Sequence, residues 1–107
     1  MYPVDYVSLM IEIRRTAVFS KFIETLRDVN ARARILRRVD RISEGNFGDA
    51  KSVGEGVSEL RIDYGPGYRV YFTKHGTTLV FLLCGGDKKS QDADIKLAKK
   101  LSNELEY

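Results

Sequence analysis

The chain has 107 residues, of which 43% are hydrophobic and 31% charged, and its formal net charge is +3. That is the make-up of one soluble globular domain able to bury roughly 65% of its unfolded surface. No apolar run approaches the ~20 residues of a membrane span, and one cysteine excludes a disulfide framework and a multi-cysteine metal site.

Taken in order, residues 1–6 match no linker type and read as a poorly ordered lead-in, with no secretion signal. Val7, Leu9, Ile11 and Ile13 alternate with Ser8, Met10, Glu12 and Arg14, which predicts a first strand over 7–14. Thr16 has the chemistry of a helix N-cap. Val18, Phe19, Phe22, Ile23 and Leu26 then recur at helical spacing, predicting a helix over 17–28. A second helix begins at Asn30 and ends near Gly45. Ile35, Leu36, Val39 and Ile42 form its buried stripe, and Arg32, Arg34, Arg37, Arg38 and Arg41 fall on its other faces. The two read as an αα-hairpin laid over a sheet. Residues 45–58 are glycine-rich and aperiodic, a surface loop that carries neither phosphate-cradling glycine signature.

From Glu59 to Gln91 the pattern is three strands joined by tight turns at Gly65-Pro66-Gly67 and His75-Gly76. A two-residue second turn sets Phe72 opposite Leu79, Val70 opposite Phe81 and Tyr68 opposite Leu83. A three-residue first turn adds Leu60, Ile62 and Tyr64 to the same apolar face and sets Asp63 across from Arg69. Alternation then sends Glu59, Arg61, Asp63, Arg69 and Tyr71 to the other face. The run Leu79 to Cys84 has no polar alternation, so it belongs inside the sheet. Cys84 reads as a packed thiol and His75 as a turn residue. A last helix is capped by Asp92 or Asp94, with Ile95, Leu97, Ala98, Leu101 and Leu105 apolar. The expected fold is α+β, β-α-α-β-β-β-α, with strand order 1-4-3-2, as a single domain over 1–107.

The segments LRIDYGPGYRVYF and LLCGGDKKSQDADIKLAKKL resemble the RelE/ParE toxin superfamily, nearest its HigB-like, phage-associated addiction-module branch. The likeness runs from about Met10, where members commonly begin, to the C-terminus. It rests on GYR at the start of a strand and GGDKKSQ after the last one. The resemblance implies a cytoplasmic toxin paired with an antitoxin, typically a helix-turn-helix DNA-binding protein. Its ribonuclease members cut mRNA on the ribosome without a metal or cofactor, a ribose 2′-OH attacking the adjacent phosphate.

Such chemistry needs cations around a crowded phosphate, and arginine's planar fork suits it. Through GYR, Arg69 matches the arginine set against the scissile phosphate; pattern alone leaves it equally a partner for Asp63. Lys88 sits where members carry a basic catalytic residue, with Lys89 and Gln91 close enough to share the task. Asp87 is either a base or a turn cap. Arg61 and Tyr71 share the face of Arg69, as a charge and a surface for stacking a base. Arg34, Arg37, Arg38 and Arg41 read either as a solvated helix face or as a salt-sensitive contact for ribosomal RNA. Many family nucleases have a tyrosine or histidine in the final segment, where this chain has Asp87, Asp92 and Asp94. That departure leaves two further readings open, a ParE-like DNA gyrase poison and a non-catalytic nucleic-acid- or protein-binding module.

Overall fold

The computed structural model describes residues 10–105, so the expected lead-in and the start of the first strand lie outside the described residues. Within them the order is β1 (Glu12–Arg15), α1 (Ala17–Thr25), α2 (Val29–Ser43), β2 (Ala50–Gly54), β3 (Val57–Ile62), β4 (Tyr68–His75), β5 (Leu79–Asp87) and α3 (Gln91–Asn103), the last entered through a 3₁₀ turn at Lys88–Ser90.

Local chemistry sets the helix ends. The Thr16 hydroxyl accepts from the Phe19 amide at 3.0 Å and donates to the carbonyl of Leu83 at 2.6 Å, so one N-cap also ties α1 to β5. Asp28 caps α2 by accepting from the amides of Asn30 and Ala31. Arg32 reaches back to the carbonyls of Ile23 and Leu26, which ends α1 sooner than its apolar spacing implied.

The sheet has five strands in the order β1-β5-β4-β3-β2, with β1 parallel to β5 and the other pairs antiparallel. As expected, β5 is interior and lies between the first strand and the strand before it. The four expected strands keep their order; the fifth, β2, is a correction, since it lies inside the segment read as a loop. It is a mostly exposed edge strand, and exposure removes the apolar alternation that would have marked it.

Both turns of the meander are longer than the sequence suggested, with different consequences. Between β3 and β4 Leu60 faces Val70, Arg61 faces Arg69 and Ile62 faces Tyr68, so the loop spans 63–67. A shift of two residues preserves facing, so Leu60 and Ile62 still join the core, but Arg69 stands across from Arg61 rather than Asp63. Between β4 and β5 His75 pairs with Leu79 and Phe72 with Leu82, with a bulge at Tyr71 and Phe72. The loop is therefore Gly76-Thr77-Thr78. This odd shift moves Leu79, Phe81 and Leu83 to the opposite face from Val70 and Phe72.

Two cores result. Phe19 and Ile23 of α1 and Ile35, Val39 and Ile42 of α2 pack on Leu60, Ile62, Val70, Phe72, Val80 and Leu82. On the other face Ala98, Ile95 and Leu101 of α3 cover Val57, Tyr71, Phe81, Leu83 and Cys84. The face expected to be solvated is thus half roofed by the last helix.

Ile62 is 4% exposed in the first core. We expect Ile62→Asp to abolish cooperative unfolding or lower its midpoint severely, because an unpaired buried charge costs several kcal/mol. Wild-type thermal melts for this variant would place the residue outside the core.

Candidate nucleic-acid interface

Where α3 stops covering the sheet, an open cleft of about 460 Å³ remains, lined by Asp49, Arg61, Asp63, Gly65, Pro66, Gly67, Arg69 and Lys88. Strand alternation places Glu59 beside Arg61 on this face, with Tyr71 opposite the first and Arg69 opposite the second. Two arginines directly across a sheet repel. Glu59 offsets that repulsion: its Oε1 accepts from Nε of Arg61 at 3.1 Å and lies 3.8 Å from Nε of Arg69. Its Oε2 accepts from the Tyr71 hydroxyl at 3.1 Å and from Nε2 of Gln91 at 2.7 Å.

Glu59 is fully buried, whereas the Arg61 side chain is 34% and that of Arg69 13% exposed. Burial pushes the Glu59 carboxyl up. The hydrogen bonds from Gln91, Arg61 and Tyr71, with the charge of Arg61, outweigh burial and hold it below its ordinary value. Burial, then the neighbouring Glu59, raises Tyr71 far above the usual phenol range, so its hydroxyl keeps its proton.

The motif GGDKKSQ has a packing explanation. A Cβ on Gly86 would stand 1.9 Å from Oδ2 of Asp94 and 2.7 Å from Oγ of Ser90, and one on Gly85 2.4 Å from the Phe22 ring. Bare backbone at Gly85 lets β5 run this close to the Phe22 ring of α1, and at Gly86 it leaves room for the Ser90 and Asp94 side chains. Asp87 then caps the 3₁₀ turn, accepting from the amides of Lys89 and Ser90 at 2.9 and 3.3 Å. That turn brings Lys88 to the rim of the cleft beside Gly67.

The sequence-derived residues divide accordingly. Arg61, Arg69 and Lys88 meet in the cleft. Tyr71 is a correction: it is fully buried under α3, so its ring presents no surface for a base. Gln91 is turned inward onto Glu59. Asp87 takes the capping role, and neither it nor the exposed Lys89 lines the cleft.

A second, smaller cleft of about 250 Å³ is lined by Arg34, Arg37, Arg38, Arg41, Ile62 and Asp63. It adjoins the first through Asp63. Its arginines are not equivalent. Arg38 is spent on structure, donating to the carbonyls of Arg61 at 2.6 Å and Phe47 at 3.3 Å. Arg34 stacks over Tyr64, 4.5 Å from the ring centroid, and it, Arg37 and Arg41 are all exposed.

Cys84 keeps its packed position, whereas His75, expected in the turn, is the last residue of β4 and pairs with Leu79. The Cys84 thiol is buried against the carbonyl of Asp94, and burial raises it to about 12. His75 packs edge-on against Phe81. Among the described residues no His, Cys, Asp and Glu group could hold a metal ion, and no helix is long and apolar enough to cross a membrane. The residue missed by sequence reasoning is Glu59, whose burial depends on α3.

The sequence profile of phage-derived Gp49-like proteins matches residues 21–103. An uncharacterized protein of Haemophilus influenzae is 50% identical over 97 residues, which is 91% of this chain and 98% of the relative. Among solved structures, the free state of the E. coli toxin RelE, carrying two arginine-to-alanine substitutions, superposes with a TM-score of 0.68 at 14% identity. The superposition covers 85% of this chain and 97% of RelE. The fold is therefore RelE-like, as the sequence resemblance implied.

Because the folded state lowers the Glu59 carboxyl below its ordinary value of 4.5, its stabilising contribution is complete above that value. It is lost as pH falls through the lower folded value. We expect the urea midpoint of the wild type to drop as pH falls below 4.5, and that of Glu59→Gln to drop less. Equal slopes for the two proteins would show that Glu59 titrates alike in both states.

Proposed function

The chain belongs to the phage-derived Gp49-like family, and from that premise we propose that it is the toxin of a type II toxin–antitoxin module. In this reading it is a metal-independent endoribonuclease that arrests growth by cutting mRNA on the ribosome. The observation that carries the proposal is the meeting of Arg61, Arg69 and Lys88 in one open cleft beside a buried carboxylate.

In the reaction the ribose 2′-hydroxyl gives up its proton to water as its oxygen bonds to phosphorus, and the bond from phosphorus to the 5′-oxygen breaks, the 5′-oxygen taking a proton from water, which leaves a 2′,3′-cyclic phosphate and a 5′-hydroxyl. Charge builds on the non-bridging oxygens and on the leaving oxygen. Arg69, the more enclosed guanidinium, grips the non-bridging oxygens, and Arg61 adds a second charge from the facing strand. Lys88, at the rim beside Gly67, offsets the charge on the leaving oxygen, and the exposed Lys89 adds to the field without lining the cleft. Arg37 and Arg41, one helix face away, hold ribosomal RNA by salt-sensitive phosphate contacts, with Arg34 at their edge. The partner is a helix-turn-helix antitoxin, and the site of action is the cytoplasm, where ribosomes are.

A second reading has its own observation. Among the described residues lining the cleft there is neither tyrosine nor histidine, so a ParE-like gyrase poison, which needs no acid–base pair, is the alternative.

We expect Arg69→Ala to lose about 10²–10³-fold in cleavage rate on programmed ribosomes. Arg69→Lys should recover part of this, since an ammonium cannot hold two oxygens in one fork. The assay reads fragment ends for the cyclic phosphate. Intact mRNA with wild-type protein, together with gyrase-dependent DNA breaks, would move the protein to the second reading.

A further inference from the structure

We propose that Glu59 is the positioning residue of the guanidinium pair, a buried carboxylate that fixes Arg61 and Arg69 by their inner nitrogens and aims their outer ends at the substrate phosphate. The inference rests on the reading of the cleft as the nucleolytic site and names what organises it.

The two oxygens of Glu59 have separate tasks. Oε2 is anchored from beneath by the Tyr71 hydroxyl and by Gln91, at 3.1 and 2.7 Å. Oε1 faces Nε of Arg61 at 3.1 Å and Nε of Arg69 at 3.8 Å. Nε of Arg69 is buried and makes no hydrogen bond among the described residues, so its nearest compensation is the charge on Oε1. One terminal nitrogen of Arg69 donates to the Tyr68 carbonyl at 3.1 Å, which fixes the plane of the guanidinium. Its other terminal nitrogen, and both of Arg61, make no hydrogen bond to a described residue and remain for a ligand.

The same geometry separates positioning from proton transfer. A carboxylate offers about four lone-pair directions; here hydrogen bonds from Arg61, Tyr71 and Gln91 take three, and Nε of Arg69 stands 3.8 Å from Oε1. Glu59 is also fully enclosed. It reaches a 2′-hydroxyl only by abandoning its partners, and it acts on substrate through the arginines. An amide at this position has one accepting oxygen and turns an NH₂ either on the arginines or on Tyr71 and Gln91.

The experiment compares wild type, Glu59→Gln, Arg69→Ala and the double variant in ribosome-programmed cleavage, alongside arginine Nε–H NMR of the free proteins. Tyr71→Phe, which keeps the ring and removes one anchor of Oε2, is the second variant should Glu59→Gln fail to fold. We expect Glu59→Gln to cut the cleavage rate about 10²-fold, the scale of a misplaced catalytic group, with ribosome affinity unchanged. Tyr71→Phe should lose less in the same direction. In both, the Nε–H resonances of Arg61 and Arg69 shift and exchange faster. The losses from Glu59→Gln and Arg69→Ala should not multiply, because one acts through the other. Two results overturn the inference: unshifted Nε–H resonances, or losses that multiply fully in the double variant. If the wild type cleaves nothing, the nuclease reading falls, and the NMR comparison alone decides whether Glu59 holds the pair.

Discussion

A carboxylate without access to water holds this protein's charged face together. Burying an ion costs several kcal/mol, and only close, well-aimed partners offset it. Glu59 has three hydrogen-bond donors, Arg61 on its own strand, Tyr71 on β4 and Gln91 at the start of α3, and a longer ion pair with Arg69 on β4. The contacts therefore lock the last helix onto the sheet while holding two like charges side by side. Gly85 lets the Phe22 ring of α1 lie against β5, and Gly86 leaves room for the Ser90 and Asp94 side chains at the start of α3.

Much of the fold was legible because its signals are redundant. An apolar run without alternation at 79–84 requires an interior strand, whatever the turns do. The facing of Ile62 and Leu60 survived an error in loop length because the error was even. The β4–β5 register was not legible, since every residue of β5 from Leu79 to Cys84 is apolar and any pairing buries hydrophobic surface. The edge strand β2 carries exposed Lys51 and Ser52 where a pattern would be needed. Of the site, Arg61, Arg69 and Lys88 were visible as charges near the right turns. Tyr71 was placed on the correct face and given the wrong environment. The signal that could have corrected it is the apolar stripe Ile95, Ala98 and Leu101, which requires a sheet face to cover. That face could only be the one bearing Tyr71, and Glu59 beside it would then have been read as buried.

The two clefts differ in kind. In the larger, charges are held by a carboxylate and stand beside a glycine-lined rim that admits a backbone. In the smaller, one arginine is bound to carbonyls and three are exposed, one of them resting on a tyrosine. Preorganised charge suits a transition state, and loose charge suits a polyanion of no fixed shape. This contrast supports the division of labour between catalysis and docking better than net charge, which is only +3.

The most direct test is a structure of the wild-type chain on a ribosome programmed with mRNA whose reactive 2′-oxygen is methylated, which blocks attack and preserves the Michaelis geometry. The scissile phosphate should lie within about 3.2 Å of the Arg69 guanidinium, with Lys88 towards the 5′-oxygen and Glu59 still behind both arginines. A phosphate seated elsewhere, with the Arg61, Arg69 and Lys88 cleft empty, would contradict the assignment of the site.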